Sequence, residues 1–235
     1  MQFWMKRIRL LLLILVSASA LKAQNVQLHY NLGENQKFPW THVEMFKPDK
    51  WGSSFFFIDM NYGEGDMHGV TMAYWEISRA LKFWNSPFAL HAEFNGGFGQ
   101  FMNTTLPNGA YPINNAWLFG GEYTWNTKDF SKVFTLELLY KTIQDKNRAA
   151  FQITGVWAIQ MLKNKVTFSG FADFWREDNS FGAKGNTQYV FLTKPQLWYN
   201  FTSHLSAGTE FDISSNFSGH KGSMVNPNIS AKWEF

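Results

Sequence analysis

The chain has 235 residues and a formal charge of +3, but Lys6, Arg7, Arg9 and Lys22 all fall within residues 1–23, which hold no acid, so the remainder carries −1. That near-neutral balance removes the basic stripe a nucleic-acid-binding protein needs. The absence of cysteine excludes disulfides, thiolate metal sites and a lipid anchor on Cys.

The chain opens with a basic segment, Met5-Lys6-Arg7-Ile8-Arg9, then an unbroken apolar run from Leu10 to Val16, then small residues from Ser17 to Ala20. The apolar run is too short to cross a bilayer and stop there, so the pattern reads as an export signal cleaved after Ala20 or Ala23. Residues 1–23 are therefore the expected signal peptide and 24–235 a single domain. Aromatic residues make up 18% of the chain, including 24 Phe and 11 Trp, far more than a soluble domain needs. No later stretch offers the ~18 consecutive apolar residues of a helical span. Export, aromatic excess and the lack of a long apolar run together predict a transmembrane β-barrel.

Alternating segments of about ten residues separated by turn residues are the signature of such a barrel. The first runs from Val26 to Leu32, with Val26, Leu28, Tyr30 and Leu32 on one face, and residues 33–36 turn it. The second spans Lys37 to Phe46 and ends in a turn at Lys47-Pro48-Asp49-Lys50. The third spans Trp51 to Met60, followed by a glycine-rich loop to His68. The fourth spans Gly69 to Arg79 and turns near Pro87. In the fifth, Phe88, Leu90, Ala92 and Phe94 oppose His91, Glu93 and Asn95. Residues 99–114 read as the longest irregular stretch. The sixth places Trp117, Phe119, Gly121, Tyr123 and Trp125 on one face. The seventh places Phe134, Leu136, Leu138 and Tyr140 opposite Thr135, Glu137 and Lys141. The eighth covers Phe151 to Gln160 and the ninth Val166 to Phe174, with a loop expected from Arg176 to Asn186. The tenth covers Gln188 to Tyr199, the eleventh Leu205 to Ile213, and the last Asn226 to Phe235.

The fold expected is an all-β, closed antiparallel transmembrane barrel of about twelve strands. An even count brings both termini to one side of the bacterial outer membrane. The chain stops on Phe235, an aromatic on the outward face of an alternating strand. That ending resembles the signal read by the outer-membrane insertion machinery, so this machinery and the lipid bilayer are expected partners. If the apolar face meets lipid, the other face must carry function. The expected lumen set is His42, Glu44, Asp59, Glu76, His91, Glu93, Glu122, Glu137, Lys141, Asp173, Lys194, Glu210, Asp212, Lys232 and Glu234. Phe46, Phe55, Phe57, Phe171, Trp175 and Trp198 alternate onto the same face. Charged filler explains the first group; inward aromatics favour a path for ligands.

The stretch from Thr41 to Asp59, THVEMFKPDKWGSSFFFID, resembles the Tsx family of nucleoside-specific outer-membrane channels and Tsx-related barrels. The matching features are T-x-V-E at Thr41 to Glu44, a short Lys-containing turn, and W-G-x-x-F-F-F-x-D at Trp51 to Asp59. Glu76 and Ile77 followed by Arg79 complete it. The resemblance implies a monomeric channel for passive uptake of nucleosides or similar small solutes. Glu44, Asp59 and Glu76 would accept ribose hydroxyls and Phe55 and Phe57 would stack on a base, with Arg79, His91 and Glu93 completing the binding set. No cofactor, nucleic acid or catalytic group is expected. The competing enzyme reading is a lipase-like barrel hydrolase built on His204 and Ser206, or on the carboxylates Glu210 and Asp212. A structural or general diffusion barrel is the remaining alternative. His42 with Glu44, and His91 with Glu93, are same-face pairs, but no third metal ligand is identifiable, so hydrogen bonding in the lumen is the expectation and a metal is not.

Overall fold

The computed structural model describes residues 24–33, 37–64, 66–102, 109–146 and 149–235. The expected signal peptide lies outside the described residues, as do parts of the turns at 33–36 and 144–148 and the middle of the stretch at 99–114. The strands are β1 (Gln24–Asn31), β2 (Pro39–Asp49), β3 (Gly52–Tyr62), β4 (Val70–Leu81), β5 (Phe88–Phe101), β6 (Gly109–Asn126), β7 (Lys132–Ile143), β8 (Ala150–Met161), β9 (Val166–Ser180), β10 (Asn186–Thr193), β11 (Gln196–Asn200), β12 (Leu205–Ser215) and β13 (Ser223–Glu234). Pairing is antiparallel throughout. β13 bonds both β12 and β1, with Asn25 opposite Glu234 and Asn31 opposite Asn228, so the sheet closes and has no free edge.

β10 and β11 both lie between β9 and β12 and are the two halves of one spanning strand. The break falls at Lys194-Pro195, where proline has no amide hydrogen to give the ladder. Bonding continues across it, since Lys194 N donates to Phe171 O at 3.2 Å and Phe211 N to Pro195 O at 3.1 Å. Gly170 faces the break at φ +152, and a Cβ there would stand 2.5 Å from Lys194 O. The barrel therefore has twelve spanning strands, with both termini on the side that is periplasmic in outer-membrane barrels.

The faces are inverted relative to a soluble sheet. On β1, His29 is 1% exposed while Leu28 is 55% exposed. The outward band carries Leu28, Leu90, Leu136, Leu138, Ile153 and Leu197, all exposed. Exposed rings flank it on both sides: Phe88, Tyr123, Trp125, Phe134, Tyr199 and Trp233 towards the termini, and Tyr30, Phe98, Tyr111, Trp117, Tyr140 and Tyr189 away from them. An aliphatic belt between two aromatic girdles suits a bilayer with its two interfaces. Among the described residues no helix is long and apolar enough to cross a membrane.

Three boundaries differ from the sequence reading. The turn expected at residues 47–50 is tighter, because Asp49 still pairs with Gly52 and only Lys50 and Trp51 remain in it. The described residues of the stretch at 99–114, apart from Met102, are strand: Gly97 pairs with Ile113 and Gly99 with Tyr111. Glycine and proline there imitate turn signals. Gly99 instead makes room for the Tyr111 ring, which a Cβ would meet at 2.3 Å. Likewise β9 runs on to Ser180 through the expected loop, pairing there with Asn186 and Thr187 of β10.

Candidate functional site

Period-two geometry on β2, β3 and β4 turns Glu44, Phe57 and Glu76 to the lumen at one level, since Phe57 pairs with both carboxylates' strands. Phe55 and Phe57 stand 5.9 Å apart, and Phe57 and Tyr74 6.0 Å apart, forming an aromatic stripe. His42 stacks on Phe57 at 5.1 Å. Its Nδ1 lies 2.6 Å from Asp59 Oδ1 and its Nε2 3.1 Å from Glu44 Oε2. Asn25 Nδ2 donates to Glu44 Oε1 at 2.6 Å, and Lys194 Nζ lies 3.7 Å from Asp59 Oδ2. Tyr74 donates its hydroxyl to Glu76 Oε1 at 2.6 Å. The stripe thus has flat faces for a ring and carboxylates on its flank for hydroxyls.

Arg79 does not join this set, and its expected lumen position is corrected. It stands three residues from Glu76, and an odd separation in a strand places the two on opposite faces. Its guanidinium bonds Asp49 Oδ2 at 2.7 Å and Oδ1 at 2.9 Å and Ser54 Oγ at 3.0 Å, on the outer face near the termini.

His91 and Glu93 do face inward, on β5. His91 Nδ1 lies 2.9 Å from Glu122 Oε2 and Nε2 lies 3.1 Å from Glu93 Oε2. Glu122 on β6 pairs directly with Glu137 on β7. Nitrogen or oxygen atoms of His91, Glu122 and Glu137 all fall within 4.8 Å of one another. Together they make a group of one imidazole and two carboxylates, of a kind that can hold a metal ion.

The rest of the lumen is densely furnished. His29 stacks on Trp40 at 3.9 Å, and its Nδ1 lies 2.7 Å from Ser230 Oγ. Three lysines each sit over a tryptophan: Lys141 over Trp175 at 4.5 Å, Lys194 over Trp40 at 4.8 Å and Lys232 over Trp198 at 4.8 Å. On the wall formed by β6, β7, β9 and β10, buried Leu118, Leu139, Ile143, Trp175 and Val190 pack together. Phe217, from the loop between β12 and β13, meets Trp175 edge-on at 5.7 Å. Beyond them, at the mouth away from the termini, a cavity of about 490 Å³ is lined by Lys146, Arg176, Glu177 and Asn179. It is separate from the Phe55–Phe57 stripe.

Sequence reasoning missed Tyr74 and Trp40 as site residues, although both lie on alternation with residues it placed inside. The hydrolase arrangement does not assemble: Ser206 Oγ donates to Asn200 Oδ1 at 2.8 Å, whereas His204 Nδ1 bonds Glu234 O at 2.8 Å. Glu210 Oε2 accepts from Gln196 Nε2 at 2.6 Å.

The fold is shared with solved outer-membrane channels. The NanC porin, in its rhombohedral crystal form, superposes with a TM-score of 0.57 at 12% identity over 91% of this chain and 100% of that one. The KdgM porin gives 0.52 at 12% identity over 91% and 99%. Its complex with disordered oligogalacturonate gives 0.50 at 11% identity over the same shares. A search of curated proteins returns no match. The architecture, with the porin-like fold it shares with these structures, is that of a bacterial outer-membrane β-barrel. From residue 23 to residue 235 it matches the model of the family described as Domain of unknown function (DUF5020), and it belongs to that family.

Proposed function

We propose that the barrel is a channel for passive uptake of small, uncharged, ring-bearing solutes, with nucleosides the favoured class. The observation that carries this reading is the Phe55–Phe57–Tyr74 stripe flanked by Glu44, Asp59 and Glu76. Aromatic stacking binds a base yet releases it, and a series of weak sites permits passage. Lumen charge narrows the choice. Glu44, Asp59, Glu76, Glu93, Glu122, Glu137, Asp173, Glu210 and Asp212 outnumber Lys141, Lys194 and Lys232, so an acidic solute of the kind bound by the KdgM porin meets repulsion here. The Tsx-like residues from Thr41 to Asp59 supply the nucleoside as the ring-and-hydroxyl solute.

The test is ion conductance of purified protein in planar bilayers with adenosine, thymidine, ribose, a neutral amino acid and a uronate. Nucleosides block the current, and Phe57→Ala weakens the block by about 1–3 kcal/mol, the contribution of a stacked base. Equal behaviour of all five solutes reduces the protein to a general diffusion pore. Absence of conductance together with ester hydrolysis that disappears in Ser206→Ala would establish the hydrolase instead.

A further inference from the structure

We infer that His91, Glu122 and Glu137 form a binding site for a divalent first-row transition cation, with Glu93 as the positioning residue behind His91. The inference is independent of what solute the channel carries.

Glu122 and Glu137 are directly opposed across neighbouring strands. Like charges in that position repel unless a cation or a proton lies between them. Among the described residues no lysine or arginine forms an ion pair with Glu93, Glu122 or Glu137. Lys141, on the same strand as Glu137, turns away to donate to Gln152 Oε1 at 2.7 Å and to cover Trp175. Glu137 is only 9% exposed, yet no group in the described residues donates a hydrogen bond to it. Its carboxylate instead points at Glu122 and the His91 ring. A largely buried carboxylate without a protein donor is costly, and a metal ion is a partner that the geometry admits.

The donor set has the chemistry of such a site. One imidazole and two carboxylates suit Zn²⁺ or Mn²⁺, with water completing the shell. Ligands on one ion with bonds of about 2.0–2.1 Å stand about 2.9–3.4 Å apart. His91 Nδ1 and Glu122 Oε2, at 2.9 Å, are already at the short end of that range, and Glu137 needs only to close in. Glu93, 3.1 Å from Nε2, accepts the remaining ring proton. That keeps the Nε2 proton in place while an ion displaces the one that Nδ1 shares with Glu122, the arrangement carboxylates give behind metal-bound histidines.

The experiment is calorimetric titration of chelator-treated full-length barrel in detergent with Zn²⁺, Mn²⁺ and Ca²⁺, with heat-modifiable gel migration confirming that each variant is folded. Zn²⁺ or Mn²⁺ is expected to bind at one equivalent. Glu137→Gln and His91→Asn are expected to weaken binding at least a hundredfold and Glu93→Gln about tenfold to a hundredfold, while His220→Ala, in an exposed loop, leaves it unchanged. No binding to the folded wild type overturns the inference. Binding that survives His91→Asn, or that is lost in His220→Ala, overturns it as well, since the ion would then sit elsewhere.

Discussion

The lumen contains two imidazole centres with the same local sequence pattern and different surroundings. His42-Val43-Glu44 and His91-Ala92-Glu93 both put a carboxylate two residues from a histidine, on the same face of a strand. At the first, the neighbouring strand presents Asp59, Lys194 approaches that carboxylate, and Asn25 donates to Glu44. Cations and donors thus meet the acids. At the second, the neighbouring strands present Glu122 and then Glu137, and among the described residues no lysine or arginine pairs with them. Identical tripeptide logic therefore gives a self-contained network in one place and an electron-rich, cation-deficient cluster in the other. In a barrel, chemistry is assigned by which residues fall opposite each other across the ladder, and the local motif only supplies the candidates.

The largest expected effect tests whether the second centre exists at all. Leu136 points outward between inward Thr135 and inward Glu137. Leu136→Arg puts a charge into the aliphatic belt and should lower barrel stability by about 2–4 kcal/mol if the position is near the midplane. Thr135→Arg should be far milder. Urea unfolding in lipid vesicles measures both; equal effects would mean a register shifted by one residue, which would carry Glu137 out of the lumen and dissolve the contrast. The next effect is a conversion. Lys194→Met removes the cation beside Asp59, so the His42 centre should come to resemble the His91 centre. Zn²⁺ stoichiometry should rise from one equivalent towards two, at a cost of about 1–3 kcal/mol in stability without metal. Unchanged stoichiometry would show that Asn25 and the ring contact with Phe57, rather than Lys194, set the difference. The smallest effect belongs to Arg79. Its pair with Asp49 lies on the outer rim in contact with water, where solvent screening leaves such pairs little net contribution. Arg79→Ala should leave both nucleoside block and Zn²⁺ affinity unchanged, and a loss of block would return Arg79 to the solute path.

Much of this was legible in the sequence, and the limits have a physical cause. Alternation within a strand is a local property, so Leu136, Leu138, Glu137 and Lys141 could be assigned to faces from sequence alone. The same rule excluded Arg79 from the face of Glu76. The motif resemblance carried it inward against the period, and the structure sides with the period. What alternation cannot supply is the level at which one strand meets the next. The facing of Glu122 and Glu137 depends on the turn at residues 127–131, where Thr127 N donates to Lys132 O and Asp129 caps Ser131 N. Both glutamates were placeable in the lumen, but nothing in their own neighbourhoods showed that they oppose each other. The same gap hid the extension of β5 and β6, because Gly97, Gly99 and Pro112 look like a turn until Tyr111 is seen lying across Gly99.

The seam between β1 and β13 bears on how the barrel assembles. With β10 and β11 counted as one spanning strand, every other pairing among the described residues joins strands consecutive along the chain, and each can form as a hairpin. The seam alone brings together residues as far apart as Asn25 and Glu234. For a flexible chain, closing a loop of that length costs about 2 kcal/mol more than closing a hairpin of ~15 residues. The assembly route with the lowest barrier therefore adds hairpins one at a time to a curling sheet, which carries its two outermost strands towards each other before they bond. Contact order predicts that this final zipping is the slow step. Until it occurs, the unpaired amides of β1 and β13 are edges on which a second nascent sheet could grow.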